Sequence, residues 1–147
     1  MNQGAPINIL IVEDNPGDVR LIMEAFKEAK IDNRLFVVED GAEAISYLKR
    51  ENKFKDAVIP DMILLDLNLP RRDGREVLTY IKSDLRLKII PVIIMTTSSS
   101  DTDILQAYNL QANAYIQKPV DLDQFFHIIQ SIEDFWLKFV RFPPLQA

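Results

Sequence analysis

The stretch Met62-Ile63-Leu64-Leu65-Asp66-Leu67-Asn68-Leu69-Pro70 constrains this chain more than any other. A short, unbroken apolar run that ends in a carboxylate and then a turn-forming proline has the pattern of a strand buried on both faces, with Asp66 delivered to its carboxyl-terminal edge. The run Ile7-Asn8-Ile9-Leu10-Ile11-Val12 ends in the same manner, in Glu13-Asp14. Open α/β sheets place their chemistry at that edge. Two such strands side by side would bring the carboxylates of Glu13, Asp14 and Asp66 to one rim.

The rest of the chain alternates strand and helix signals. Asn15-Pro16 supplies an N-cap and a proline at the first helical position, and Val19, Ile22, Met23 and Phe26 follow at helical spacing. A second strand is predicted over 34–38, and Asp40-Gly41-Ala42-Glu43 is a capping box opening a helix with Ala44, Ile45 and Leu48. After a polar connection over 49–61 and the strand of Asp66, Asp73-Gly74-Arg75-Glu76 starts a third helix carrying Val77, Leu78 and Ile81. A fourth strand over 91–95 enters Thr96-Thr97-Ser98-Ser99-Ser100, a helix spans about 101–110, and a fifth strand covers 114–117. Asp121 with Gln124 opens a long last helix. This alternation predicts an α/β fold: a doubly wound five-stranded parallel sheet in the flavodoxin-like order 2-1-3-4-5, with five helices. In that order the first and third strands are neighbours, and the ends of the fourth and fifth flank the acidic crevice.

At 147 residues, about half of them apolar, the chain suits one domain over 1–147, with a core over about 7–132 and a helix extension and Pro-rich tail over 133–147. It has no cysteine, no basic cluster over residues 1–6, and no apolar run near the roughly 20 residues that span a bilayer. A soluble, cytoplasmic, unprocessed protein is expected. A net charge of −5 with scattered basic residues argues against nucleic acid as a partner.

Carboxylates a few ångströms apart repel by roughly 3 kcal/mol per pair at an effective dielectric near 20, so a hard divalent cation is expected among them. Oxygen-only ligands with room for water suit Mg²⁺, with Mn²⁺ as a substitute. Asp66 is then the nucleophile toward an incoming phosphoryl group. Thr96 and Lys118 end the fourth and fifth strands with a hydroxyl and an ammonium able to meet phosphoryl oxygens. Asn68 stands where phosphatases that pass through an aspartyl phosphate commonly carry a second Asp, and an amide cannot shuttle protons. A persistent phosphoaspartate is expected, rather than turnover by an enzyme. The only histidine, His127, falls in the last helix and is read as structural or exposed.

With Glu13, Asp14, Asp66, Thr96 and Lys118 in these places, the chain resembles the receiver domains of two-component response regulators from residue 7 to about 132. The resemblance implies that Asp66 is the phosphoacceptor and that the backbone carbonyl of Asn68 completes the Mg²⁺ site. It also implies that Thr96 and Tyr115 are the switch pair and that Lys118-Pro119 is joined by a cis bond. Glu-Asp-Asn-Pro-Gly-Asp-Val-Arg-Leu-Ile at 13–22, Asp-Leu-Asn-Leu-Pro-Arg-Arg-Asp-Gly-Arg-Glu-Val-Leu at 66–78 and Ile-Glu-Asp-Phe-Trp-Leu at 132–137 are similar to single-domain regulators of bacterial, especially cyanobacterial, phytochrome histidine kinases. The implied function is a switch phosphorylated by a sensor histidine kinase and read by protein–protein interaction; the alternative is a relay intermediate or phosphate sink. Thr97 departs from the family pattern, in which that residue is most often small.

The last helix speaks to self-association. Leu122, Phe125, Ile129, Ile132, Trp136 and Val140 have the spacing for packing on the sheet, whereas Ile128, Phe135, Phe139 and Phe142 lie off that stripe. A helix over 121–142 would be roughly 33 Å long and would project an uncovered apolar end, predicting a homodimer through that surface. Alternatively, Pro143-Pro144-Leu145 folds back to cover it.

Overall fold

The computed structural model describes residues 5–144. The expectations for the first four residues, and for the tail from Leu145 onward, lie outside the described residues. The elements are β1 (Ile7–Val12), α1 (Pro16–Lys27), β2 (Asn33–Val38), α2 (Gly41–Lys49), β3 (Met62–Leu65), α3 (Gly74–Ser83), β4 (Val92–Thr96), α4 (Asp101–Asn109), β5 (Ala114–Gln117) and α5 (Leu122–Lys138). A short 3₁₀ turn, Asn52–Phe54, interrupts the connection after α2, which the sequence reading left without structure. The five strands form one parallel sheet in the order β2-β1-β3-β4-β5, as the alternation predicts.

Strand alternation sends side chains to two cores. Leu10, Val12, Ile63, Leu65 and Ile94 pack against α2 and α3 through Ala44, Leu48, Val77, Leu78 and Ile81. Ile9, Ile11, Met62, Leu64, Ile93 and Met95 face α1 and α5 through Ile22, Phe26, Phe125 and Ile129. Helix starts follow the capping chemistry: Asn15, Asp40, Asp73, Ser100 and Asp121 each accept a backbone N–H of the helix they precede. In the box at α2 the Glu43 carboxylate reaches back to the N–H of Glu39, one residue before the cap.

The last helix is long, as expected, but stops short of the predicted end at Phe142. It ends at Lys138, so its 17 residues span about 26 Å. The backbone N–H groups of Phe139 and Val140 both donate to the Phe135 carbonyl, and the chain then turns so that Phe142 meets Trp136 with ring centroids 6.1 Å apart. Pro143-Pro144 cannot extend a helix. Of the four residues expected at an uncovered surface, Phe135 and Phe139 are exposed, whereas Ile128 and Phe142 are half-buried. Leu122, expected on the sheet-facing stripe, is exposed because it sits at the first helical position, clear of the sheet; Leu137 is buried.

Where α1 packs on α5, one carboxylate oxygen of Glu133 is buried without a hydrogen-bond partner. Burial, with Glu28 and Asp134 adding repulsion, pushes its pKa up from 4.5 to about 7. The native state therefore holds a proton that the unfolded chain has released, and this group's contribution to stability falls as pH rises from about 4.5 to about 7. Glu133→Gln is expected to stabilise the protein by about 1 kcal/mol at pH 8, after discounting for solvent screening, and by almost nothing at pH 5. Urea unfolding at the two pH values checks this.

Candidate functional site

The register of the central strands assembles the site. Val12 is level with Leu65, so the next residues, Glu13 and Asp66, leave the sheet side by side. Thr96 is level with Gln117, and the backbone N–H of Lys118 donates to the Thr96 carbonyl at 2.7 Å. Among the described residues the buried polar or charged side chains are Glu13, Asp66, Thr96 and Lys118. All four stand at this one rim, which is where the sheet's carboxyl ends open. Buried charges persist only when they are paired, and here they are.

The Lys118 ammonium donates to Glu13 Oε1 at 2.5 Å, to Asp18 Oδ2 at 2.9 Å and to Asp66 Oδ2 at 3.1 Å. All of its donors are thereby used. Burial alone would pull the Lys118 pKa down, but the hydrogen bond and charge of Glu13, with Asp66 and Asp18, push it up, so this group stays an ammonium. Burial pushes Glu13 up to about 7 against the opposing pull of Lys118, making it the weak acid of the pair. The other Glu13 oxygen accepts the Asn15 N–H at 3.2 Å.

The remaining Asp66 oxygen, Oδ1, accepts the backbone N–H of Asn68 at 3.1 Å. The Asn68 side-chain amide donates to the Thr96 hydroxyl at 3.2 Å. Gly74, at the start of α3, lies against the backbone of Asp66 and Leu67 and donates its N–H to the Leu67 carbonyl at 2.8 Å. Asp14 is exposed, and carboxylate oxygens of Glu13, Asp14 and Asp66 lie within 4.8 Å of one another. That donor set, all hard oxygen with one member open to solvent, fits a divalent cation of the Mg²⁺ or Mn²⁺ type.

The other sequence-predicted residues fall as follows. Thr97 is exposed beside the site. Tyr115 is half-buried; its hydroxyl donates to the Ser98 carbonyl at 2.9 Å, and its N–H donates to the Tyr108 hydroxyl. Every peptide bond among the described residues is trans, so the expected cis bond before Pro119 is corrected. Trans is the lower-energy form by about 0.5–1 kcal/mol even before proline, and strand pairing already carries Lys118 to the acidic cluster. His127 is exposed on α5, with a ring nitrogen on the Asp123 carbonyl. Asp18 had been given no role of its own; its signal was its place in the first turn of a helix that begins on this rim.

Comparison with known proteins gives the family. The response regulator receiver domain family matches residues 9–130. Response regulator Rcp1 of Synechocystis is 43% identical over 94% of this chain and 94% of its own length. The probable methanogenesis regulatory protein FilR2 of Methanothrix harundinacea is 41% identical over 94% of this chain and 88% of its own. Among solved structures, the phosphorylated cyanobacterial phytochrome response regulator RcpA superposes with a TM-score of 0.92 at 47% identity, covering 95% of this chain and all of that one. The Mn²⁺-bound form of Rcp1 superposes with a TM-score of 0.93 at 42% identity, covering 95% of this chain. The chain belongs to the response regulator receiver domains of two-component signalling.

Proposed function

We propose that the protein is the response regulator of a phytochrome-type sensor histidine kinase and takes the kinase's phosphoryl group on Asp66. The observation that carries this reading is the convergence of Glu13, Asp14 and Asp66 with Lys118 and Thr96 at one rim. The phytochrome assignment is supported by the likeness to RcpA and Rcp1 across almost the whole chain. In the transfer an Asp66 carboxylate oxygen forms a bond to phosphorus as the bond from phosphorus to the kinase's histidine nitrogen breaks, the electron pair leaving with that nitrogen. Glu13, Asp14, Asp66 and the Asn68 backbone carbonyl would hold Mg²⁺, or Mn²⁺ in its place, which supplies positive charge to the phosphoryl oxygens.

The chain's own residues do the rest. Lys118, poised on Asp66, shifts its ammonium to a phosphoryl oxygen, and Thr96 turns its hydroxyl from Asn68 to another. Asn68 offers no acid or base, so the acyl phosphate persists as a signal and the protein is not a turnover enzyme. Withdrawal of Thr96 leaves space for Tyr115 to turn inward, leaving Ser98 and restacking the face of α4, β5 and α5. Phe135 and Phe139, flanked by Ile128 and Phe142, form the apolar surface through which two copies associate. No helix among the described residues is long and apolar enough to cross a membrane, and we place the protein in the cytoplasm, with no membrane or nucleic-acid partner.

Incubation with radiolabelled acetyl phosphate and Mg²⁺, followed by sedimentation, tests this. The parent is expected to label and to sediment as a dimer at tens of micromolar, whereas Asp66→Asn or an excess of chelator abolishes labelling. Equal labelling of Asp66→Asn sinks the phosphoacceptor, and a monomer in both states sinks the dimer.

A further inference from the structure

The polar cluster of Arg75, Asp103 and Ser98 lies outside the acidic site, and its geometry ties the phosphoacceptor segment to α4. Arg75 follows Gly74, which abuts the backbone of Asp66. Its guanidinium reaches across to α4, where Nη2 donates to Asp103 Oδ1 at 2.8 Å and Nε donates to Gln106 Oε1 at 2.9 Å. Asp103 Oδ2 accepts the Ser98 hydroxyl at 2.6 Å, and the Ser98 carbonyl accepts the Tyr115 hydroxyl at 2.9 Å. The Ser98 hydroxyl and the Arg75 guanidinium hold the Asp103 carboxyl below the usual range, so it stays charged. One carboxylate therefore fastens the loop between β4 and α4, the first turn of α4 and the start of α3 together.

What this cluster holds is the helix with the weakest apolar hold. In α4 only Ala107 is buried, against Val77, Leu78 and Ile81 on α3 and Phe125, Ile129, Ile132 and Leu137 on α5. Leu105 and Tyr108 face solvent. A helix with so little buried apolar surface opens at low free energy unless polar contacts fix it.

We propose that Arg75 is a positioning residue whose grip on Asp103 and Gln106 latches α4 and the 97–100 loop in the resting arrangement, so that phosphorylation must release it before the α4 face can change. This rests on Asp66 being the phosphoacceptor, deepening that reading with the contact that opposes it. Removing the latch is expected to loosen α4 without any phosphoryl group and to let the neighbouring loop reach its phosphorylated arrangement more readily.

Hydrogen–deuterium exchange over residues 97–109, without phosphodonor, tests the latch. Arg75→Ala is expected to exchange there about tenfold faster than the parent while the strands exchange at the parental rate. Asp103→Asn, which removes the partner's charge, should do the same, and the double variant should exchange more slowly than the product of the two accelerations, because the Arg75–Asp103 contact is lost in both. Labelling of Asp66 by acetyl phosphate should quicken several-fold in both single variants. Parental exchange in either single variant overturns the latch, as does a double variant whose acceleration is the product of the two, or unchanged labelling in variants that have loosened. If the parent itself takes up no label, the phosphoacceptor assignment fails and the exchange result alone decides whether Arg75 holds α4.

Discussion

Lys118→Met is expected to destabilise the protein by about 3 kcal/mol in chelator, because removing one partner of a buried ion pair leaves the other charge uncompensated. The loss sits toward the low end of the usual range for two reasons visible in the site. Glu13 is already a weak acid, so it can lower the remaining charge by taking up a proton. Asp14 and the exposed side of the cluster let water reach the carboxylates. Millimolar Mg²⁺ should restore more stability to this variant than to the parent, since a cation on Glu13, Asp14 and Asp66 then offsets the Glu13 and Asp66 charge that the missing ammonium had paired. Labelling by acetyl phosphate in saturating Mg²⁺ should fall about 100-fold, the loss typical of deleting one preorganised donor to developing charge. Urea unfolding separates the two effects. A variant that is destabilised yet labels at the parental rate would make Lys118 a structural counter-ion and nothing more.

The sheet order and the acidic rim could be read from the chain because both are written in local pattern. A buried parallel strand is a short apolar run, and a carboxylate directly after it has one place to go. Glu13 and Asp66 needed only the inference that β1 and β3 are neighbours. Asp18 needed more, since it lies in the first turn of α1 and its role depends on how far the Lys118 side chain reaches from the far end of the sequence. The same limit hid the contacts of Arg75, whose partners Asp103 and Gln106 belong to a different helix. The end of α5 was misread because helical spacing continues in the sequence past Lys138, whereas the backbone turns where packing Phe142 on Trp136 is available. Tyr115 entered only through resemblance, and resemblance could not say that its hydroxyl is held by the Ser98 carbonyl. The bond before Pro119 was carried over in the same way, and here the chain takes the trans form.

Gly74→Ala should damage both the fold and the site through one added methyl. A Cβ at Gly74 would stand 2.3 Å from the Asp66 carbonyl oxygen, 2.6 Å from Leu67 Cα and 3.0 Å from the Asp66 carbonyl carbon. Those neighbours are backbone and cannot swing aside, so either α3 or the loop carrying Asp66 must move. Overpacking of this kind typically costs about 1–3 kcal/mol, while alanine's better helix propensity returns up to about 1 kcal/mol, so a net loss of about 2 kcal/mol is expected. The Gly74 N–H also donates to the Leu67 carbonyl, and the Asn68 N–H fixes Asp66 Oδ1. Displacement therefore propagates to the carboxylate, and labelling should slow by at least about tenfold, as misplacement of a reacting group by an ångström does. Gly17→Ala is the control: its new methyl would meet only the Asn15 side-chain oxygen, at 3.3 Å, and should change stability by less than about 1 kcal/mol with labelling unaltered. Parental stability in Gly74→Ala would mean that the close approach of α3 to the Asp66 backbone is not what holds the carboxylate in place. A destabilised Gly74→Ala protein that still labels at the parental rate would separate the packing of α3 from the chemistry at Asp66.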